Sequence, residues 1–584
     1  MKTFKQNGLL FIFFGISAIA FGLLIFPPSG LLVGSDRAFH LQRLLEIYGN
    51  LKQGHLTYIS TQAFGNAGQG INFFYPWLGL TPFLIGLKIA GPHIIALALG
   101  EAIIAFLGLW MNFITIRLSG YAWRTGVIFA TGYVFSIYLI EDNVGRFDLG
   151  ESVAMLFFPL AILSFYHLIY QSEHNYFGKF TWVFLGFSLA LITQTHFMTA
   201  FITFIGFGLS LIYFIIARRI SWSAILRLFA ASILYMVATL NFWIPFFDQY
   251  LHTKILSPPA TNFGTQNGLA LSQIINNSLD TRIEVYQLQF GILIVVGCLV
   301  LISKWRYLSR IVRITLIIGF GLTIMSTDIF PWSLMTKTVI SRLQYSGRMM
   351  PMANFFLCYA IAVATGNYLS SLEKSPKIVN RLTLGAIILP VILMVSVTTT
   401  LINTENKIHK DQTNTVSATS TMQNVTSNNF RITNAGFKND IGASIYRDYI
   451  PDYGLDRQAL LQVDRHLLLV GKQTIRPEDI HVGANTVVYK LETKKPVVQN
   501  TTVRLPFWIY NVREYRVIVN HHVSKVTLDR YHLARVRLVN NKVFNTIQIE
   551  FVPPKIYKIS FVISILTLLF CSLVILTLLF TNLK

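Results

Sequence analysis

Residues 1–30 read "MKTFKQNGLLFIFFGISAIAFGLLIFPPSG". Lys2 and Lys5 lead into an apolar run of about 20 residues, the length a helix needs to cross roughly 30 Å of hydrocarbon. A charged start followed by an apolar run is also how a secretory signal begins. This run is long for one, and no small-residue cleavage site follows it. The expectation is an uncleaved first span with its N-terminus in the cytoplasm. The chain then repeats the pattern. Of 584 residues, 53% are hydrophobic and 13% charged, with a mean hydropathy of +0.53. A soluble domain so apolar would aggregate, so composition alone places the chain among polytopic helical membrane proteins.

The formal net charge is +22. In a soluble protein that would point to nucleic acid. Here the basic residues fall in short loops between apolar runs, so they read as orientation signals, and no nucleic-acid partner is expected. Cys298, Cys358 and Cys571 all lie in apolar stretches, which leaves no disulfide framework and no zinc-type spacing. Basic clusters at Lys2/Lys5, Arg117/Arg124, Lys179, Arg218/Arg219/Arg227, Lys304–Arg313, Lys374–Arg381 and Lys584 mark cytoplasmic loops.

Spans consistent with these clusters are 8–27, 93–116, 125–140, 152–170, 180–196, 198–217, 226–246, 287–303, 312–326, 349–369, 383–402 and 557–580, about 12 in all. One apolar stretch, 73–90, does not fit, because crossing there would put Arg117 and Arg124 outside. It reads as a juxtamembrane or re-entrant segment broken by Pro76 and Pro82; the alternative is an ordinary extra span with one loop breaking the rule. Parity then puts 28–92, 141–151, 247–286, 327–348 and 403–556 on the outer face. The domain reading is a transmembrane domain over 1–402, a polar linker over 403–430, a β-domain over 431–556 and a last transmembrane helix over 557–584. "NTVVYKLET", "YRVIVN", "ARVRLVN" and "NTIQIEF" alternate with period two between turn residues, the mark of an antiparallel sandwich-like fold outside the membrane.

Polar chemistry gathers on that same side. In "GSDRAFHLQRLLEIYGNLKQG" (34–54), a helix over 36–53 would carry Asp36, His40 and Arg43 on one face. Such a face can hold a general base, a phosphate clamp or a metal; equally, it can be the wet face of an interfacial helix. "YLIEDNVGRFDLGESVAMLFFPL" (138–160) packs Glu141, Asp142, Arg146, Asp148 and Glu151 between two spans. Carboxylates so close need a cation, a proton or an arginine, and a structural salt-bridge knot would serve as well as a site. His196 falls where one span ends and the next begins, and Gln344 and Arg348 stand at the mouth of another. A lone His often only packs and an interfacial Arg often only snorkels, but Arg is also the side chain best shaped for phosphate. Glu101 lies inside a span, either paired internally or near its outer end.

Four elements in this order resemble the GT-C superfamily of membrane glycosyltransferases. Within it they resemble the bacterial YfhO-like group and the membrane proteins labelled "6-pyruvoyl-tetrahydropterin synthase related". The elements are Asp36 with "DRAFHLQRLLEIYGNLKQG", "GINFFYPWLGL" (70–80), "GRFDLGESVAMLFFPL" (145–160) and "RLQYSGRMM" (342–350). The layout after them, "LPFWIYNVREYRVIVN" in an external β-domain and then one span, is also similar. The chain departs from the family patterns at Trp77, at Ser346–Gly347 and at Phe147, which follows Arg146 where the pattern has Gly.

The resemblance implies transfer of a sugar from a polyprenyl-phosphate carrier to an acceptor at the outer face of a bacterial plasma membrane. The acceptor would be a teichoic acid, a glycolipid or another anionic wall polymer. Asp36 would be the base of an inverting displacement. Arg146, Arg348 and His196 would take the donor phosphate, with His40, Arg43, Asp142, Asp148, Glu151 and Gln344 in support. Some relatives bind a divalent metal near the first-loop Asp; the candidates for one here are Asp36, His40, Asp142 and Glu151. A non-catalytic envelope assembly protein, or a lipid or polysaccharide transporter, is the alternative. Transporters usually show internal repeats and paired broken helices at mid-membrane; no convincing repeat is evident here, and the polar residues cluster on one side.

Overall fold

The computed structural model describes residues 2–27, 31–32, 36–170, 177–256, 270–281, 283, 288–335, 337–343, 345–372, 375–413, 431–432, 437, 446, 448–454, 456–493, 500–538 and 543–582. Among them, seven helices are long and apolar enough to cross a bilayer: Gly8–Ile25, Ile94–Leu118, Leu149–Tyr170, Phe197–Ile216, Ser346–Ser371, Pro376–Thr400 and Lys555–Leu578. Two bent pairs raise the number to as many as nine: Trp123–Val134 with Ile137–Asn143, bent by 42°, and Trp222–Ala238 with Leu240–His252, bent by 71°. The chain is thus a membrane-embedded helical protein with a C-terminal β region.

The first span shows how sequence becomes packing. Phe14, Ala18, Phe21 and Ile25 recur at helical spacing and are buried, while Leu9, Ile12, Ile16 and Ile19 are exposed. Both faces are apolar, as lipid on one side and protein on the other require. Gly22 lets the helix close on Ile94–Leu118, since a Cβ there would strike the Ala98 carbonyl.

Lengths depart from the expected spans in three places. The stretches expected at 180–196, 287–303 and 312–326 form helices of 15, 12 and 16 residues, Thr181–Thr195, Ile292–Ser303 and Arg310–Met325. At 1.5 Å per residue each falls short of about 30 Å. The stretch 73–90 is broken: a turn at Ile71–Phe74, then a short apolar helix over Leu78–Ala90. The helix from Pro376 runs on to Thr413, into the stretch expected as linker, because no Gly or Pro stops it there; 414–430 lie outside the described residues.

The β region is two antiparallel five-stranded sheets. One runs Thr527–Leu528, Leu533–Arg537, Thr502–Trp508, Leu468–Val470, Gln473–Ile475; the other Asp479–Gly483, Thr486–Glu492, Phe544–Phe551, Tyr515–Val519, His522–Ser524. Val487, Tyr489, Ile547 and Ile549 of one sheet and Leu468, Val503, Leu505 and Phe507 of the other share one buried cluster. Alternate residues turn inward, as the period-two pattern predicts.

That cluster also takes in Ile59, Ala67, Phe73 and Phe74 from the segment after the first span. The Trp508 N–H donates to the Ala67 carbonyl at 2.8 Å, and the Tyr510 hydroxyl accepts from the Gly70 N–H at 2.8 Å. Residues 56–75 are thus wedged between the helices and the sandwich, and they carry one wall of the polar cluster described next.

Candidate functional site

Asp36 stands at the N-terminal cap position of the helix Arg37–Lys52 without a side-chain capping bond, and its backbone N–H points at the Arg146 carbonyl, 3.4 Å away. One turn on, His40 is 2% exposed and sits edge-on to Tyr75 at 5.7 Å. A further turn on, Arg43 is fully buried. Its Nη2 donates to the Tyr75 carbonyl at 2.8 Å and the Pro76 carbonyl at 3.2 Å, and both Nε and Nη2 donate to Asn72 Oδ1 at 3.2 Å. The guanidinium also lies 4.6 Å from the Tyr75 ring centre. Arg43 therefore holds the "NFFYP" turn and through it places Tyr75.

The second loop supplies the floor. Ile137–Ile140 is followed by a turn of π-helix, Glu141–Arg146, and Phe147 then takes a left-handed backbone at φ 60°. This reversal brings the Asp148 N–H back to the Asp142 carbonyl at 3.0 Å. Arg146 Nη1 binds Asp142 Oδ1 at 2.7 Å and lies 3.6 Å from Glu151 Oε1, while its Nη2 binds Asp148 Oδ2 at 3.2 Å. Arg348, from the start of Ser346–Ser371, pairs with Glu151 Oε2 and stands 3.7 Å from Asp148 Oδ2. The Tyr138 hydroxyl donates to Glu151 Oε1 at 2.9 Å, and the Tyr75 hydroxyl to Asp148 Oδ1 at 3.2 Å. Gly150 makes room for that last bond, since a Cβ there would collide with the Tyr75 hydroxyl. Deeper in, Asn143 donates to Glu101, which ties the π-turn to the span Ile94–Leu118.

His196 joins from a third direction. It lies between Thr181–Thr195 and Phe197–Ile216, with Nδ1 paired to the Thr199 hydroxyl at 2.7 Å. Ligand atoms of Asp148, Glu151 and His196 lie within 4.8 Å of one another. One imidazole and two carboxylates suit a divalent cation, but Arg146 and Arg348 already hold both carboxylates, so a cation would have to share them with two guanidiniums. Of the residues expected from sequence to hold a metal, only Glu151 belongs to this trio; Asp36, His40 and Asp142 stand outside it.

The structure therefore brings Asp36, His40, Arg43, Asp142, Arg146, Asp148, Glu151, His196 and Arg348 to one place from loops far apart in sequence; Gln344 lies outside the described residues. Tyr75, Tyr138, Tyr345, Asp448 and Tyr449 join them without having been singled out. Tyr345 faces the Arg348 guanidinium at 5.0 Å and Tyr449 stacks on Phe74 at 6.1 Å. Tyr75 stands in a quoted motif; Asp448 stands in no pattern at all.

The electrostatics separate mouth from floor. Asp142, Asp148 and Glu151 are buried and engaged, whereas Asp36 is half-exposed and its carboxylate has no hydrogen-bond or ion-pair partner among the described residues. Desolvation, and then the like charge of Asp148, push Asp36 up to about 6, with Arg146 and Arg348 opposing. Burial, with Arg43 beside it, pushes His40 down to about 3, and burial likewise lowers His196. Both imidazoles are neutral near pH 7. The arrangement is a carboxylate poised near neutrality above a water-poor floor of fixed guanidiniums. Set against known proteins, the chain matches no protein-family model, no curated protein and no solved structure.

Proposed function

We propose that the protein transfers a sugar from a polyprenyl-phosphate carrier to a hydroxyl-bearing cell-envelope acceptor at the outer face of a bacterial plasma membrane, with inversion. The observation that carries this reading is the Asp36 carboxylate: half-exposed, without a partner, and raised to about 6. A general base works best with a pKa near the working pH and an open path to the proton it takes. In this reading the acceptor hydroxyl loses its proton to Asp36 as its oxygen attacks the anomeric carbon, and the phosphate leaves with the bonding pair.

The oxocarbenium-like transition state moves negative charge onto the departing phosphate. Arg146 and Arg348 are its counter-charges, held in fixed orientations by Asp142, Asp148 and Glu151. Pre-orientation matters because donors that do not have to reorganise stabilise charge best. Neutral His196, bonded to Thr199, is a hydrogen-bonding partner at the same end. Placing the β region outside the cell follows from the loop charges and fits this reading, since an external site needs a donor already carried across in lipid.

The test is sugar transfer by the full chain in nanodiscs, offered radiolabelled polyprenyl-phosphate sugars with glycolipid or teichoic-acid acceptors. Wild type should transfer; Asp36→Asn, with an unchanged melting temperature, should lose at least a hundredfold in kcat. Equal transfer by both would remove Asp36 from the mechanism.

A further inference from the structure

Asp142, Asp148 and Glu151 on the floor of the cluster are each tied to an arginine, but one other carboxylate at the mouth is not. Asp448 is half-exposed and has no hydrogen-bond or ion-pair partner among the described residues. Its position is nevertheless fixed from both sides. On one side, Tyr446 is clamped by Gln69, whose amide nitrogen donates to the Tyr446 carbonyl and whose Oε1 accepts from the Tyr446 N–H at 3.2 Å. On the other, the Tyr449 N–H donates to the Leu256 carbonyl at 3.0 Å, and the Tyr449 carbonyl accepts from the Tyr510 hydroxyl at 2.7 Å. The chain is thus anchored two residues before Asp448, at Tyr446, and directly after it, at Tyr449.

The same anchors place it over the site. The Tyr446 ring packs on Phe39 at 4.5 Å, one turn from Asp36, and the Tyr449 ring meets Tyr75 at 6.4 Å. Burial pushes Asp448 up to about 6, and its charge is among those that raise Asp36. Beneath, His40 is 2% exposed and its Nδ1 has no partner. The mouth thus combines two open carboxylates, half-exposed tyrosine rings and a buried ring nitrogen. Carboxylates accept two hydrogen bonds at once from adjacent hydroxyls, and aromatic faces take the C–H face of a sugar ring. The same pair repels phosphate.

We propose that Asp448 is a substrate-contacting residue of this site, and that with Asp36 it holds a neutral, vicinal-diol group: the terminal sugar of a glycolipid acceptor rather than a phosphate-rich polymer. This rests on the glycosyl-transfer reading and deepens it by naming the acceptor class. Asp448 fixes the diol, which leaves Asp36 to take the proton from the attacking hydroxyl.

The experiment uses the full chain in nanodiscs, with two probes: a neutral diglycosyl diacylglycerol and a glycerol-phosphate oligomer. One readout is carbodiimide labelling of Asp36 and Asp448, followed by peptide mass spectrometry; the other is transfer. The glycolipid should slow labelling of both carboxylates at least fivefold, and the oligomer should slow neither. Asp448→Asn should need about tenfold more glycolipid to protect Asp36, and should raise KM for the glycolipid about tenfold with kcat within threefold of wild type. Unchanged melting of Asp448→Asn, read alongside, assigns these changes to contact rather than to folding. Protection by the oligomer alone, no protection by either probe, or Asp448→Asn behaving as wild type would each overturn the proposal. Protection that depends on Asp448, without transfer by the wild type, would sustain the diol site and sink the transfer reaction instead.

Discussion

Phe147 shows how much a single residue can carry. It follows Arg146 and holds φ at 60°, a region that costs a side-chain-bearing residue about 1–2 kcal/mol. The backbone reversal that glycine would make freely is thus kept with a phenyl ring. That ring is buried, meets Phe26 at 5.8 Å and lies under the Arg37 guanidinium at 5.6 Å. Packing compensates the strain. Phe147→Ala should lose about 3–5 kcal/mol of stability, since it removes the ring and keeps the strain. Phe147→Gly should be about 1 kcal/mol more stable than Phe147→Ala, reversing the usual order of the two residues. Melting of the detergent-solubilised variants decides it; Ala melting above Gly would mean that the reversal is unstrained. At Asp36 the residue-scale expectation is kinetic. A base must be unprotonated, so transfer should rise with pH through about 6 and then level; a flat profile from pH 5 to 8 would leave the base elsewhere. The sequence order and sidedness of Asp36, Arg146, Glu151 and Arg348 were readable beforehand. Their pairing was not: Arg348 meets Glu151 across a separation of 197 residues, and no local pattern encodes that approach.

Elements tell the same story at a larger step. The period-two runs predict the strands, which are present, and the proline-containing 73–90 forms a turn and then a short apolar helix. What no periodicity announces is that residues 56–75 wedge into the sandwich. That contact depends on absent side chains. Gly68 has φ 70°, and a Cβ there would collide with the Phe507 ring; one at Gly70 would crowd Phe73 and Tyr510. Gly68→Ala should therefore unseat the "LPFWIY" strand from the first loop, with a loss of about 2–4 kcal/mol from overpacking and backbone strain together. Because the same loop places Tyr75 against Asp148, the variant should also lose transfer while its transmembrane helicity stays intact. Circular dichroism and protease sensitivity of the β region together test this. A resistant, fully active Gly68→Ala would show that the wedge does not position the site.

Across the whole molecule, the helices, the sandwich and the last span meet at one polar knot far from the site in sequence. The Tyr557 hydroxyl donates to Asp248 Oδ2 at 2.6 Å and stands 3.3 Å from Glu514 Oε1. Asn511 Nδ2 lies 3.3 Å from Asp248 Oδ1 and 3.4 Å from Glu514 Oε1, and Gln249 donates to Glu514 Oε2. His252 sits 3.2 Å from Asp248. Glu514 is the group that holds a proton here. Burial, then the hydrogen bond and charge of Asp248, push Glu514 up to about 8 from an ordinary 4.5. The sign follows from linkage: the folded state binds this proton more tightly, so its contribution is complete below about pH 4.5 and is lost as pH rises through about 8. Asp36, Asp448 and Glu46 are also raised, but to about 6, 6 and 7, so their share is spent earlier. Between pH 7 and 9 the fall in stability should therefore belong mainly to Glu514, about 1.4 kcal/mol. Glu514→Gln, which keeps a donor and cannot ionise, should flatten the melting temperature over that interval while matching the wild type only near pH 4.5 and below, where Glu514 is protonated in both states. If the variant instead tracks the wild type through pH 9, the proton is not held at this junction, and the sandwich is fastened to the helices by its apolar wedge alone.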